Sequence, residues 1–398
     1  MTVGPEETAT GPTARTDLDA AVAAVAAVAA EHARSCDERA EFPVEALTAL
    51  RDTELLGLLV PAEYGGPGYG SSELIETTMR LGRADMSVAM IFAMHCQQVL
   101  ALVRYATPRL HAELLPEIAR GRVYLASVTT EAGTGGHLLS AEAALESDID
   151  TLRIDRFAPI VTGGRYADGF LITMRSPGSD SPSDVSLVYA PRELLDITPS
   201  GDWQPLGMRA SHSGALRLSG RVPAHHVLGE HGRFRDIAAA VFAPLAHLGW
   251  SAAWLGTACG ALSRVITLLR GPSGRGSYDL SSELLLTRLA SARGRIDTVH
   301  ALLRRTEAMV ATAPDLTVPS SQLLLNTLKV TASEQCLRSV EELIDALGMR
   351  HGYLRDSPTG LERSLRDLRS AALNYSNDRL RLASGRLALL DPEVRLVW

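Results

Sequence analysis

Apolar residues recur at helical spacing along the first 120 residues of the chain. A narrow apolar stripe in an alanine-rich segment predicts an amphipathic helix over residues 17–34. The stripe consists of Leu18, Val22, Val25 and Val28. A proline typical of helix starts predicts a second helix over 43–58, and further helical segments over 72–103 and 108–120 follow a glycine-rich turn. The first part of the chain is therefore predicted to be mostly helical.

From residue 123 the pattern changes to short apolar runs rich in β-branched residues, separated by Gly, Pro, Ser and Asp. The runs are YLASVTT, APIVT, GFLITM, VSLVYA and ALRLSG. Helical spacing returns after Gly232 in four long segments, typical of an antiparallel bundle. They are residues 237–269, 282–313, 320–347 and 360–390. We predict an α+β protein with a disordered tail (1–16), an N-terminal helical domain (17–122), a middle β-sheet or barrel domain (123–232) and a C-terminal four-helix bundle (233–398).

Composition excludes several classes of function. The 398 residues carry a net charge of −7 and 46% hydrophobic residues, which gives a large core and no basic surface for nucleic acid. The four cysteines lie far apart, and His225 and His226 have no third ligand near them in sequence, so no disulfide framework or metal site is expected. We find no apolar run near the roughly 20 residues of a membrane span and no signal peptide, and expect a cytoplasmic protein that does not enter a membrane.

Four sequence blocks suggest a family. They are VPAEYGGPGYG at 60–70, SVTTEAGTGG at 127–136, TGGRYADGFLI at 162–172 and LGMRASHSGALRLSGRVPAHHVLG at 206–229. Their order and intervals, with helices before and after a strand-rich middle, resemble the acyl-CoA dehydrogenase family of flavoproteins. The resemblance runs over nearly the whole chain. It implies the three-domain architecture above and a flavin cofactor, which is FAD or, instead of FAD, FMN. It also implies assembly as a homo-oligomer, either a dimer or a tetramer.

The same resemblance assigns residues to the flavin. In the family, the segment similar to SVTTEAGTGG holds the ring system and the pyrophosphate, and the threonine of TGGRYAD lies beside the ring. Ile160 stands where many members have an aromatic residue that covers one face of the flavin. Further contacts come from a neighbouring subunit, through an arginine loop that corresponds to LLRGPSGRGSYD here. The implied cofactor residues are Ser127, Thr129, Thr130, Gly135, Gly136, Ile160, Thr162, Arg270, Arg275 and Gly348.

The catalytic base of the family has no clear counterpart. In many members a glutamate lies nine residues after the arginine of an Arg-Asp pair, and this count from Arg366 ends at Tyr375. A phenol with a pKa of about 10 is a poor base near neutral pH. Asp378 is the nearest acid, although it equally suits a helix cap or an ion pair with an arginine. Asn374 can orient a carbonyl but cannot take a proton. Other members place the glutamate near residues 242–245, where this chain has no carboxylate.

Three functions remain open at this stage. The first is α,β-dehydrogenation of an acyl thioester carried by coenzyme A or a carrier protein, with electrons passed to an electron-transfer partner. The second is monooxygenation, as in the flavin monooxygenases of the same fold. Those enzymes use reduced flavin from a reductase together with oxygen. The third is a non-catalytic member that has lost flavin. His95 and His137 are the candidate substrate-binding residues outside the flavin and base segments.

Overall fold

The computed structural model describes residues 12–131 and 137–396. Its N-terminal layer consists of five helices, with two short 3₁₀ turns between the second and third. The helices are α1 (Pro12–Arg39), α2 (Val44–Asp52), α3 (Ser71–Ala84), α4 (Met86–Tyr105) and α5 (Pro108–Ala119). The helical character of this layer is as predicted, but the segment 72–103 is two helices. Asp85 separates them, because its backbone is extended and its carboxylate accepts the Val88 amide at 3.0 Å as the N-cap of α4.

The middle layer contains two four-stranded sheets. Their strands are β1 (Leu125–Val128), β2 (Glu146–Ser147), β3 (Thr151–Ala158), β4 (Gly169–Arg175), β5 (Val185–Pro191), β6 (Leu195–Ser200), β7 (Ala215–Pro223) and β8 (Val227–Leu228). The first sheet has the order β1-β4-β5-β8, with β1 parallel to β4. The second has the order β2-β3-β7-β6 and is antiparallel throughout. β1, β4 and β5 are buried along almost their whole length.

Strand prediction was correct for the buried runs and incomplete for the second sheet. Of the run APIVT, only Ala158 belongs to a strand, as the last residue of β3, and no predicted run covers β2, β6 or β8. In β3 buried and exposed positions alternate, and the exposed ones are Arg153 and Asp155. Charged residues at every second position conceal a half-buried strand from a search for continuous apolar runs.

The C-terminal layer is helical, as predicted, and its first helix contains an irregular turn. Its helices are α6 (Phe234–Ile237), α7 (Ala243–Arg270), α8 (Pro272–Arg275), α9 (Glu283–Thr312), α10 (Pro319–Gly348), α11 (Leu361–Arg369) and α12 (Asn377–Ala388). A π turn over Ala238–Phe242 joins α6 to α7. Pro244 accounts for this turn, because it has no N–H and its ring excludes the carbonyl of residue 240. Side chains from α4 bind two carbonyls in this stretch. Arg104 donates to Ala240 at 3.2 Å, and Gln97 donates to Phe242 at 2.5 Å.

The helical layers pack closely because small residues lie where α3 meets α7. At Gly256 a Cβ atom would lie 2.2 Å from the Met79 carbonyl oxygen. The Thr257 hydroxyl donates to the Gly82 carbonyl at 3.2 Å across the same contact. Any side chain at position 256 would therefore push the N-terminal layer away from the bundle.

Among the described residues, two helices could cross a membrane by length and composition alone, Met86–Tyr105 and Phe234–Arg270. The prediction that no apolar run approaches that length is wrong for these two helices. In the most apolar window of each helix, 83% and 67% of the residues are buried inside the protein. Core helices of soluble proteins pass the same test, so these two helices carry little weight as membrane spans.

Arg366 and Asp367 in α11 connect all three layers. The Arg366 guanidinium binds both carboxylate oxygens of Asp37 in α1, at 2.9 and 2.6 Å, and donates to the Leu206 carbonyl at 3.1 Å. The Asp367 carboxylate accepts the Met208 amide at 2.6 Å. Leu206 and Met208 lie in the segment between β6 and β7. The Arg-Asp pair that the family resemblance used as a counting marker is thus a structural junction.

Asp367 is buried at this junction, and burial is the main reason that its pKa rises to about 7. The nearby carboxylate of Asp85 raises the pKa further, and Arg363 opposes the rise. In the unfolded chain an aspartate titrates near 3.9. Between these two values the folded state binds more protons than the unfolded state, so this group makes folding less favourable as pH rises.

We predict that Asp367→Asn reduces the pH dependence of stability. The asparagine oxygen can still accept the Met208 amide, whereas the ionisation that costs free energy above pH 4 is removed. Urea unfolding at pH 5 and pH 8 should show that the wild type loses more free energy of unfolding than the variant over this range, by about 1–3 kcal/mol. Equal losses in the two proteins would show that Asp367 does not titrate in this window.

Candidate functional site

A cavity of about 1000 Å³ lies where the three layers meet. The N-terminal layer contributes Met90, Met94 and Gln97 from α4. The β layer contributes a wall that includes Ser127, Thr129, Thr130, Ile160, Thr162, Trp203, Met208, Ser211 and Ser213. The bundle contributes the start of α7 and the segment between α11 and α12, including Phe242, His247, Trp250, Arg369, Asn374, Tyr375, Ser376 and Arg379. The size is typical of a site for a cofactor together with a small molecule.

The β wall is rich in hydroxyl groups, several of which hold the wall together. Thr130 donates its hydroxyl proton to the Ile160 carbonyl at 2.9 Å, and the Thr162 hydroxyl lies 3.0 Å from that of Ser213. Ser127 and Thr129 are two residues apart, so their side chains lie on the same side of the extended chain. Neither hydroxyl has a hydrogen-bond partner in the described part of the structure. These two hydroxyls are available to a bound molecule.

Glu131, the acid of the SVTTEAGTGG block, is not available as a base. Its carboxylate forms a buried ion pair with Arg156 and accepts the amides of Glu142 and Ala143 at 2.7 and 2.9 Å. Arg156 also donates to the Thr130 carbonyl at 3.0 Å. This pair fixes the backbone behind the hydroxyl wall, and a carboxylate with these partners is held away from the cavity.

The α7 wall presents an imidazole that the sequence analysis did not single out. Nδ1 of His247 donates to the Leu325 carbonyl at 3.2 Å, which leaves the lone pair on Nε2. Nε2 has no hydrogen-bond partner among the described residues, and His247 lines the cavity. Burial, with a smaller contribution from the charge of Lys329, lowers the pKa of His247 to about 4. The imidazole is therefore neutral near pH 7 and able to accept a proton.

The bundle wall also depends on the turn at residues 370–376, which interrupts the helix predicted over 360–390. Tyr375 in this turn has a φ of +50°, the left-handed region that a bulky residue adopts only when its surroundings enforce it. Lys329, the single lysine of the chain, enforces it from α10. Its Nζ donates to the Tyr375 carbonyl at 2.9 Å and to Asn377 Oδ1 at 2.7 Å. Lys329 is fully buried, and burial lowers its pKa to about 7.

The structure brings seven of the predicted site residues together. Those that line the one cavity are Ser127, Thr129, Thr130, Ile160, Thr162, Asn374 and Tyr375. Gly135 and Gly136 lie outside the described residues. Arg270, Arg275 and Gly348 lie elsewhere. At about 1.5 Å of helix rise per residue, Arg270 is roughly 35 Å along α7 from His247. The resemblance assigns the loop of Arg270 and Arg275 to a neighbouring subunit, so these two residues, like Gly348, stay predictions.

Three further predicted residues are not in the cavity wall. Asp378 has a side chain that is 93% exposed and faces Arg381 at 3.6 Å, so it cannot be the base in this structure. His95 is fully buried in the core, where Nε2 donates to the Leu56 carbonyl at 2.8 Å and Nδ1 accepts the Leu125 amide at 3.0 Å. This histidine joins α4 to the start of β1. His137 is exposed and does not line the cavity.

Sequence reasoning missed the face of α7. Residues 243, 246, 247 and 250 are spaced at i, i+3, i+4 and i+7, the pattern of one helix face, and all four line the cavity. Trp250 of this face lines the cavity, whereas Trp254, one turn further along, is fully buried in the core. The sequence did contain a signal for this face, a histidine close to residues 242–245. The prediction of a base in this segment considered carboxylates alone.

His225 and His226 gain a third neighbour in space, Glu113 of α5, and potential ligand atoms of the three residues lie within 4.8 Å of one another. His226 Nδ1 donates to the Tyr189 carbonyl at 3.2 Å, and Glu113 is paired with Arg109 at 2.9 Å. The sequence analysis expected no third ligand, and the structure supplies one. None of the three residues lines the cavity, and the Glu113 carboxylate is already paired with Arg109.

The cavity suits a flavin. The ring system is flat, with an apolar end and a polar pyrimidine edge that needs hydrogen-bond partners. The free hydroxyls of Ser127 and Thr129 can form hydrogen bonds with the polar edge of the ring, and Met90, Ile160 and Phe242 supply apolar contact. We therefore find the donor set and the shape consistent with this cofactor.

Comparison with known proteins gives two family matches and several relatives. Residues 13–122 match the model of the acyl-CoA dehydrogenase N-terminal domain, and residues 248–378 match that of an acyl-CoA dehydrogenase C-terminal domain. The chain is 23% identical to cyclohex-1-ene-1-carbonyl-CoA dehydrogenase of Syntrophus aciditrophicus over 91% of its own length and 86% of that protein. It is 27% identical to dibenzothiophene monooxygenase of Rhodococcus qingshengii over 66% of its own length and 65% of that protein.

Among solved structures, FMN-bound TdsC from Paenibacillus sp. A11-2 superposes with a TM-score of 0.84 at 21% identity, covering 96% of this chain and 98% of that one. This likeness shows the fold. The predicted three-layer α+β architecture is confirmed by the family matches and by the superposition.

We predict that Lys329→Met destabilises the protein by about 2 kcal/mol, because the part-buried Tyr375 carbonyl loses its donor and the buried Asn377 Oδ1 keeps only the Ser333 hydroxyl, at 3.3 Å. Urea unfolding measures the loss, and hydrogen exchange at residues 370–376 should increase more than exchange in α10. Unchanged exchange in this turn would mean that Lys329 does not hold it. Arg338→Met, at an arginine of α10 that does not line the cavity, is the matched control.

Proposed function

We propose that this chain, which belongs to the acyl-CoA dehydrogenase family, is a flavin-dependent oxidoreductase that dehydrogenates an acyl thioester. The observation that carries the proposal is His247, a neutral imidazole with an unoccupied Nε2 in a largely apolar cavity beside the hydroxyl wall. Family membership and the fit of the cavity to a flavin support the same activity. They also argue against the flavin-free alternative.

The chain's own residues supply the parts that dehydrogenation needs. Bound flavin would provide the acceptor for the hydride that leaves the β carbon of the acyl group. His247 Nε2 takes the proton from the α carbon. With a pKa near 4 the imidazole has a basicity similar to that of a free glutamate, whose pKa is about 4.3. Met90, Phe242 and Trp250 surround the acyl chain and exclude water.

We predict that His247→Gln slows anaerobic bleaching of the flavin by an acyl thioester by roughly 100-fold or more, the usual contribution of a general base. Glutamine has a similar size but cannot accept a proton. Stopped-flow absorbance gives the rate at saturating thioester, and its dependence on thioester concentration gives binding, which should change little. Asp378→Asn is the control and should bleach at the wild-type rate. A wild-type rate in His247→Gln would reject the imidazole as base.

The pH profile separates His247 from Tyr375. With His247 as base, the wild-type bleaching rate should stay nearly constant between pH 6 and 8, because the imidazole is already neutral there. A rate that rises about tenfold per pH unit over this range would instead indicate a base that is largely protonated near neutral pH, which His247 is not. A profile of the second kind would transfer the role to Tyr375.

A second candidate function, flavin monooxygenation, is favoured by one observation. No aspartate or glutamate lines the cavity in the part of the chain that the structure describes. The family's usual base is a carboxylate, whereas an oxygenating enzyme needs an apolar pocket that shields reduced flavin and substrate from water. The apolar residues of the cavity fit that requirement as well.

We predict that the two functions respond oppositely to His247→Gln. Dehydrogenation would be lost, as above. A monooxygenase would keep most of its activity when it is supplied with reduced flavin and ¹⁸O₂, and mass spectrometry would detect one ¹⁸O atom in the product. Bleaching of wild-type protein by a thioester, without ¹⁸O incorporation into an apolar aromatic substrate, would remove this candidate.

The proposal extends to partners. A dehydrogenase of this kind passes its electrons to a second protein, and its thioester arrives on coenzyme A or on a carrier protein. Arg270, Arg275 and Gly348 do not line the cavity of their own chain. We propose that they complete the cavity of a second copy in a homo-oligomer located in the cytoplasm.

A further inference from the structure

We infer that Glu113, His225 and His226 form a binding site for a divalent transition-metal ion such as Zn²⁺. The three residues lie outside the cavity wall, so the inference goes beyond the proposed function and does not depend on it. The bound ion links α5 of the N-terminal layer to the short turn Ala224–His226, which joins β7 to β8.

The chemistry of the three side chains selects the class of ion. Two imidazole nitrogens and one carboxylate oxygen form a ligand set that Zn²⁺ accepts, with water in the fourth position. Imidazole also suits the ions of copper, nickel and iron, whereas Mg²⁺ and Ca²⁺ take oxygen ligands. The cluster therefore favours a transition-metal ion over the two common hard cations.

The spacing of the potential ligand atoms fits a shared ion. These atoms all lie within 4.8 Å of one another, and His225 Nε2 is 3.5 Å from Glu113 Oε2. A direct hydrogen bond between a charged imidazole and a carboxylate is shorter, at about 2.7–2.9 Å. Two ligands of a tetrahedral Zn²⁺, each about 2.0–2.1 Å from the ion, are roughly 3.3 Å apart. The observed distance is closer to the second value.

His226 is oriented as a metal-binding histidine commonly is. Its ring is buried beside the ring of Tyr189, with 5.3 Å between the two centroids. Nδ1 donates to the Tyr189 carbonyl at 3.2 Å, which leaves the lone pair of the neutral ring on Nε2. A backbone carbonyl that accepts the other ring N–H fixes the tautomer and the direction of a metal ligand in the same way.

The two elements that carry the ligands are already joined to each other. The Thr107 hydroxyl caps α5 by accepting the Leu110 amide at 3.2 Å, and it donates to the His225 carbonyl at 3.3 Å. Beyond the turn, the Gly229 amide donates to the Tyr105 carbonyl at 2.7 Å. The backbones of α5 and of the turn thus have a fixed spacing before an ion binds.

The ion pair of Glu113 with Arg109 does not close the site. Arg109 binds Oε1 of the carboxylate at 2.9 Å, whereas Oε2 is the oxygen that faces His225. The side chains of Arg109 and Glu113 are 70% and 48% exposed, and an exposed pair of this kind holds a carboxylate weakly. The carboxylate can therefore turn towards an ion that enters from solvent.

The complete site exists only in the folded protein. Glu113 and His225 are 112 residues apart in the sequence, and folding brings them together. An ion that binds the folded chain better than the unfolded chain stabilises the fold by mass action. The expected role of the ion is therefore to hold the N-terminal layer against the β layer.

Isothermal titration calorimetry tests the site on full-length protein without a histidine tag, after treatment with a chelator. The wild type should bind one Zn²⁺ per chain and should not bind Mg²⁺ at the same concentrations. Glu113→Gln and His225→Gln should each weaken Zn²⁺ binding by roughly tenfold or more, because losing a residue that only orients a ligand already costs that much. Both side chains are partly exposed, so neither substitution is expected to prevent folding.

Two variants serve as matched controls and should keep the wild-type affinity. Glu117→Gln changes another arginine-paired glutamate of α5, and His300→Gln changes an exposed histidine of α9. In thermal melting, Zn²⁺ should raise the Tm of the wild type and of both controls, but not that of Glu113→Gln. Failure of the wild type to bind Zn²⁺, or equal affinity in the wild type, Glu113→Gln and His225→Gln, would overturn the inference.

Discussion

The cavity depends on one junction, the contact that α11 makes with the two other layers. Arg366 is bound to Asp37 of α1 through both carboxylate oxygens, and Asp367 binds the Met208 amide of the β layer. The backbones approach so closely that a Cβ at Gly207 would lie 2.0 Å from the Arg366 carbonyl oxygen. A cavity between three layers keeps its shape only while the layers keep their spacing, and this junction sets that spacing. Removing Arg366 would leave the buried Asp37 carboxylate unpaired, which is more costly than losing an exposed ion pair.

Two irregular turns in the bundle direct side chains into the cavity. The π turn before Pro244 places Phe242 and His247 on the cavity face of α7, and Gln97 binds a carbonyl in that stretch. The turn between α11 and α12 directs Asn374 and Tyr375 into the cavity, and a buried ammonium group holds it. Regular helices would have satisfied these backbone groups at lower cost. Both irregularities border the site, where strain of this kind is commonly found.

Local patterns predicted much of this fold. Helical spacing identified the N-terminal layer and the bundle, and the sequence blocks identified the hydroxyl wall through Thr130 and Thr162. The breaks at Asp85 and at residues 370–376 were not predicted, because each depends on a partner distant in sequence or on one capping residue. The face of α7 was missed for a chemical reason. The prediction near residues 242–245 considered only carboxylates as the base. The imidazole of His247 has a basicity similar to that of a carboxylate only in the folded protein, where burial lowers its pKa.

The absence of a carboxylate from the described cavity wall bears on how the chemistry can work. A glutamate in an apolar cavity tends to be protonated, because burial raises its pKa, and must be kept ionised by its surroundings. Burial has the opposite consequence for a histidine, since it favours the neutral form that accepts a proton. His247 is therefore ready to act as a base in an environment that would work against a carboxylate.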